Sequence, residues 1–106
     1  MYVEYLQYSN KVFIDLIDYI KSHSKRPYMI LFLSDHGFRL NNMDKNYLYI
    51  NFSSILLPSG DYKSFYPGLS NVNLFRILFN ESFGQQMPVL KDSTVFTKEH
   101  RFGPRF

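Results

Sequence analysis

The sequence predicts an α/β fold, and three observations carry that prediction. A short apolar run, Met29 to Leu33, lies between Pro27 and Gly37; an amphipathic helical pattern precedes it; a second, clearly delimited helical pattern follows from Asn71. The expected order is a helix, a buried strand, a second strand and a second amphipathic helix, the alternation from which α/β layers are built.

The first element runs from about Ser9 to Ser22. Val12, Phe13, Leu16, Ile17 and Ile20 recur on one face, while Lys11, Asp15 and Asp18 fall away from it. Ser9 or Asn10 can cap its start, because their side-chain oxygens accept from the free N–H groups of a first turn. Ser22 to Pro27 is a polar, basic connection into Tyr28 to Leu33. That apolar stretch reads as a buried strand of a parallel or mixed sheet, since strands covered on both faces lose the apolar/polar alternation. A helix leading closely into such a strand is half of a βαβ unit.

After Gly37 a polar loop passes through Asn41, Asn42 and Asp44, and Tyr47 to Leu57 reads as a second strand ended by Pro58. Ser59-Gly60-Asp61 signals a turn, and Tyr62 to Leu69, with Pro67 and Gly68, an aromatic loop. Ser70 caps a helix from Asn71 to Phe83. Its apolar positions are Val72, Phe75, Leu78 and Phe79, widened by Leu74 and Ile77, and Gly84 supplies the stop. Gln85 to Phe96 is expected to be extended, and residues 97–106 to form a flexible basic tail.

With 106 residues the chain makes one domain at most, small for an enzyme that must also build a cleft. Hydrophobic content of 45% with 11 Phe and 9 Tyr argues for a folded, aromatic-rich body rather than disorder. The net charge of +3 is scattered apart from Lys25-Arg26 and the C-terminal end, which gives no support to nucleic-acid binding. Without cysteine, disulfides, thiolate metal sites and cysteine nucleophiles are excluded. No apolar run approaches the roughly 20 residues of a transmembrane helix.

The chemistry concentrates where the first strand ends. Ligand groups in open α/β sheets gather past the carboxyl ends of strands, and Asp35 and His36 fall there. A carboxylate and a neutral imidazole are both metal donors, and Gly37 has no Cβ to obstruct approach. Two donors do not complete a site. Further candidates are Asp44, Asp61, His23 and His100, none at a convincing spacing, and Arg39 could hold an anionic ester through its guanidinium. The same dipeptide is also accounted for by turn hydrogen bonds of Asp35 and a surface role for His36.

The string Ile30 to Gly37, ILFLSDHG, resembles the late metal-binding motif of the alkaline phosphatase superfamily, in particular its sulfatase-like hydrolases and membrane-anchored phosphoethanolamine or phosphoglycerol transferases. A second block adds to the resemblance: Leu56-Leu57-Pro58, then Ser70 to Asn80, then Phe83-Gly84 with Pro88-Val89-Leu90, similar to the C-terminal portion of bacterial sulfatase-like proteins. The resemblance covers about Ser9 to Phe96.

The resemblance implies the C-terminal portion of a three-layer α/β sandwich, with residues 1–96 a partial sulfatase-like domain. It implies Asp35 and His36 as ligands of a divalent metal (Mn, Zn, Mg or Ca), a sulfate or phosphate ester as substrate, and a parent on the extracytoplasmic face of the membrane or in the periplasm. The family's nucleophile and a further acidic ligand lie near the start of its domain, and no corresponding segment precedes Ser9. The chain is therefore expected to be inactive alone, to bind metal weakly or not at all, and to self-associate through apolar faces left exposed. The alternative is a small non-catalytic α/β binding or interaction module. A complete small phosphatase is the third reading, with no Ser beside a recognisable base to serve it.

Overall fold

The structure, a computed structural model, describes residues 1–38 and 44–95. The expectations for Arg39, Asn41, Asn42, Phe96, His100 and the tail 97–106 lie outside the described residues. Two compact units divide the chain, Met1–Tyr62 and a second from Lys63 onward.

Helix α1 spans Tyr2–His23, starting well before the expected Ser9. Neither Ser9 nor Asn10 caps it. Glu4 favours the positive end of the helix dipole, and its carboxylate lies 3.1 Å from the Met1 ammonium. Tyr2 is held by the ring of Phe38, 4.4 Å away between centroids. A remote aromatic contact, absent from local periodicity, thus lengthens the helix by almost two turns. Lys21 and His23 sit in the last turn, where cations complement the dipole. No residue of α1 is fully buried; Ile17 and Ile20 are half-covered, and Phe13 meets Phe32 edge-on at 5.0 Å.

Strands β1 (Ile30–Leu33) and β2 (Ser53–Leu56) pair antiparallel, with Ile30 opposite Leu56 and Leu33 opposite Ser53. Among the described residues this is a mixed α/β arrangement of two helices and one two-stranded sheet. The expected parallel or mixed pairing is not what β1 makes with its one strand neighbour here. Nor is β1 buried throughout: Ile30, Leu31 and Phe32 are half-covered and Leu33 is exposed, because two strands cannot cover both faces of each other. The expected second strand is shortened as well. Residues Lys45–Leu48 form a 3₁₀ turn, started by Asp44 accepting from the Asn46 N–H at 3.0 Å, and only the last third of Tyr47 to Leu57 is extended and paired.

In the second unit, α2 covers Asn71–Phe83, the expected bounds. Ser70 Oγ accepts from Asn73 N, and Gly84 closes the helix at φ 62°, a left-handed conformation that glycine adopts without a Cβ penalty. The buried apolar positions are Leu74, Ile77 and Leu78, so the core-facing stripe lies to one side of the expected one; Val72, Phe75 and Phe79 are exposed. Asn73 lies on this inner face and is wholly buried.

The reason is a pairing that spacing alone does not reveal. Asn73 Nδ2 donates to Leu90 O at 2.7 Å while its Oδ1 accepts from Leu90 N at 2.8 Å. Two turns on, Asn80 does the same with Met87, at 2.9 and 2.8 Å. Seven helical residues rise about 10.5 Å and three extended ones about 10 Å, so the two asparagines and the two strap residues are commensurate when they run in opposite directions. Arg76, between them, donates to Pro88 O at 3.1 Å.

Asp92 completes the strap. Its carboxylate accepts from Asn73 Nδ2, Ser70 N and the Tyr66 hydroxyl at 2.8, 2.9 and 2.6 Å. Hydrogen bonds from Ser70, then Tyr66, hold its pKa well below the usual carboxylate range, and the bond to Asp92 correspondingly raises that of the Tyr66 phenol.

Candidate functional site

The carboxyl end of β1 is built by backbone pairing that outlasts the strand. Ser34 N donates to Phe52 O at 2.9 Å, and Phe52 N donates back to Ser34 Oγ at 2.7 Å, so a side chain extends the ladder one residue beyond Leu33 and Ser53. Three residues on, Gly37 N donates to Leu48 O at 2.9 Å. Asp35 and His36 are thus suspended between two fixed points.

Gly37 is there for space. A Cβ on it would overlap the carbonyl oxygen of Tyr47 and lie 2.6 Å from that of Ile50, both main-chain atoms with no freedom to swing aside. The glycine lets the 3₁₀ turn close against the loop, a reason different from the open approach to a metal expected from sequence.

Asp35 Oδ1 accepts from His36 N at 3.0 Å, the local turn bond that an acid at a strand end commonly makes. The His36 ring has its Nδ1 2.7 Å from Gly37 O. A carbonyl can only accept, so Nδ1 carries the proton and the neutral ring keeps its lone pair on Nε2. This is how a backbone carbonyl orients a ligating imidazole. Nε2 stands 3.7 Å from Asp35 Oδ2. In the neutral ring two acceptors then face each other with no donor between them, and both side chains are exposed, Asp35 the more so.

Such a pair fits one edge of a metal's coordination shell, since donors about 2.0–2.2 Å from a tetrahedral ion are roughly 3.4 Å apart. Protonation of His36 would instead turn the pair into an exposed ion pair. Among the described residues no group of three or more His, Asp or Glu side chains forms around a common point. Asp44 caps the 3₁₀ turn, Asp61 N bonds Ser59 Oγ, and His23 stacks on Tyr19 at 4.1 Å with Nδ1 2.9 Å from the Tyr19 carbonyl.

Beside the site opens an apolar cleft of about 580 Å³, bounded by Leu6, Phe13 and Ile14 of α1 and by Phe32, Leu33 and Phe52. Ser34 stands on its rim, next to Asp35. Its bonds to Phe52 show a positioning role that a serine at the end of an apolar strand could have suggested.

Compared with known proteins, the chain matches no family model, no curated protein and no solved structure. No helix among the described residues is long and apolar enough to cross a membrane.

Proposed function

We propose that the chain is the C-terminal segment of a metal-dependent hydrolase or phosphotransferase of the sulfatase-like kind, contributing Asp35 and His36 to the metal of a centre that acts on sulfate or phosphate esters. The observation that carries this reading is the His36 Nδ1–Gly37 O bond, which in the neutral ring puts the imidazole lone pair on Nε2, 3.7 Å from Asp35 Oδ2. The resemblance of Ile30 to Gly37 to the family's metal-binding motif agrees with it.

In this reading the metal neutralises developing charge on the ester oxygens. Asp35 and His36 hold it, Gly37 O keeps the imidazole in the ligating tautomer, and the Ser34–Phe52 bonds fix the loop on which both donors stand. The adjacent cleft gives the organic group of the ester an apolar seat. The nucleophile and the remaining ligands come from polypeptide outside these residues, so turnover by the chain alone is not expected.

Titration of the 106-residue chain with Mn²⁺ tests the assignment through paramagnetic broadening of amide resonances. With two protein donors, binding is expected in the millimolar range, broadening Asp35, His36 and Gly37 first, and His36→Ala should abolish this pattern. Broadening centred elsewhere, or the same pattern in His36→Ala, would overturn the proposal.

A further inference from the structure

Helix α1 carries a second apolar stripe that the fold leaves uncovered. Tyr5, Tyr8, Val12 and Tyr19 follow the alternating three-and-four spacing of a coiled-coil seam and are 68, 68, 44 and 60% exposed. At about 100° per residue, the stripe lies roughly 120° around the helix from the side of Phe13, Ile17 and Ile20 that turns inward. It is a separate surface, and from Tyr5 to Tyr19 it runs about 21 Å, or two heptads, along the helix.

We infer that this stripe docks against the same stripe of a second copy of the chain, with the two α1 helices antiparallel. The charges select both the partner and the direction. Asp15 fills the one seam position between Val12 and Tyr19 that is not apolar. A parallel pair would set the two Asp15 carboxylates against each other; an antiparallel pair sets each against a Val12 instead, because the two kinds of seam position then meet.

Along one edge of the seam Glu4, Lys11 and Asp18 follow at intervals of seven. Antiparallel helices bring like edges together, so Lys11 faces the partner's Asp18 and, by the twofold axis, Asp18 faces the partner's Lys11. In a parallel pair this edge meets Ser9, Leu16 and His23, and Lys11 finds only Leu16. The pattern is complementary to itself in one orientation, which is what a closed twofold dimer requires.

This surface shares no residue with Asp35 or His36, so the inference stands apart from the metal reading. Sedimentation velocity of the full chain at tens of micromolar in low salt is expected to show a dimer. Lys11→Asp and Asp18→Lys should each weaken it about tenfold, since each turns two symmetric attractions into repulsions, and the two together should restore it. Tyr8→Glu with Tyr19→Glu should give a monomer of unchanged helical circular dichroism. A wild-type chain that stays monomeric, a dimer indifferent to the tyrosine substitutions, or a double charge swap no better than the single ones would each overturn the inference.

Discussion

Replacing Asn73 with alanine should loosen the second unit far more than its small volume suggests. The side chain is wholly buried and makes three hydrogen bonds, two to Leu90 and one to Asp92. At about 1 kcal/mol net for each, the loss is about 3 kcal/mol. Since about 1.4 kcal/mol is tenfold in an equilibrium constant, the strap should open roughly a hundredfold more often. Hydrogen exchange reads this directly at the Leu90 amide, which lies in no helix or sheet and owes its protection to Asn73 Oδ1. Asn73→Asp sharpens the test. It preserves size and the acceptor for Leu90 N, but puts an oxygen where a donor faces Leu90 O and Asp92, and should be worse than alanine at neutral pH. Acceleration at Leu90 below about fivefold in Asn73→Ala would refute the account, as would an Asn73→Asp protein as protected as the wild type.

Two further predictions concern single residues. Gly37→Ala should disrupt the loop between β1 and the 3₁₀ turn, because the new Cβ meets two main-chain carbonyls; thermal melts should lose several degrees or more, and an unchanged melting temperature would contradict the packing described. Asp92 has a folded-state pKa held below its unfolded value, so its contribution to stability is fully present above a pH of about 3.9 and is lost as pH falls from there toward the folded value. Asp92→Asn should therefore flatten that acid limb, measured as the pH dependence of the urea midpoint between pH 5 and 2, and an identical limb in the variant would show that other carboxylates carry it.

What the sequence made legible, and what it did not, divides by range. The bounds of α2 were readable because Ser70 and Gly84 act on the backbone within a turn of themselves. The place of Asp35 and His36 past an apolar strand was readable for the same reason, although the tautomer of His36 depends on a carbonyl that only geometry could assign. The direction of pairing was not. An apolar run says that a strand is covered, not which strand covers it, and β1 meets β2 across a long connection. The early start of α1 depends on Phe38, and the inward place of Asn73 on Leu90, both remote along the chain. An asparagine among the leucines of a helix looks like a flaw in the stripe until its partner is seen.

Between Met87 and Leu90 the asparagine clamp grips only main chain. Asn73 and Asn80 read the peptide groups of Leu90 and Met87, and Arg76 reads the carbonyl of Pro88, the one strap residue between them that lacks an N–H and from which none is asked. The side chains of Met87, Val89 and Leu90 point outward and are exposed. Their identity is thus decoupled from the path of the strap, and natural drift can rewrite the outer surface of this segment while three positions on the helix keep its course.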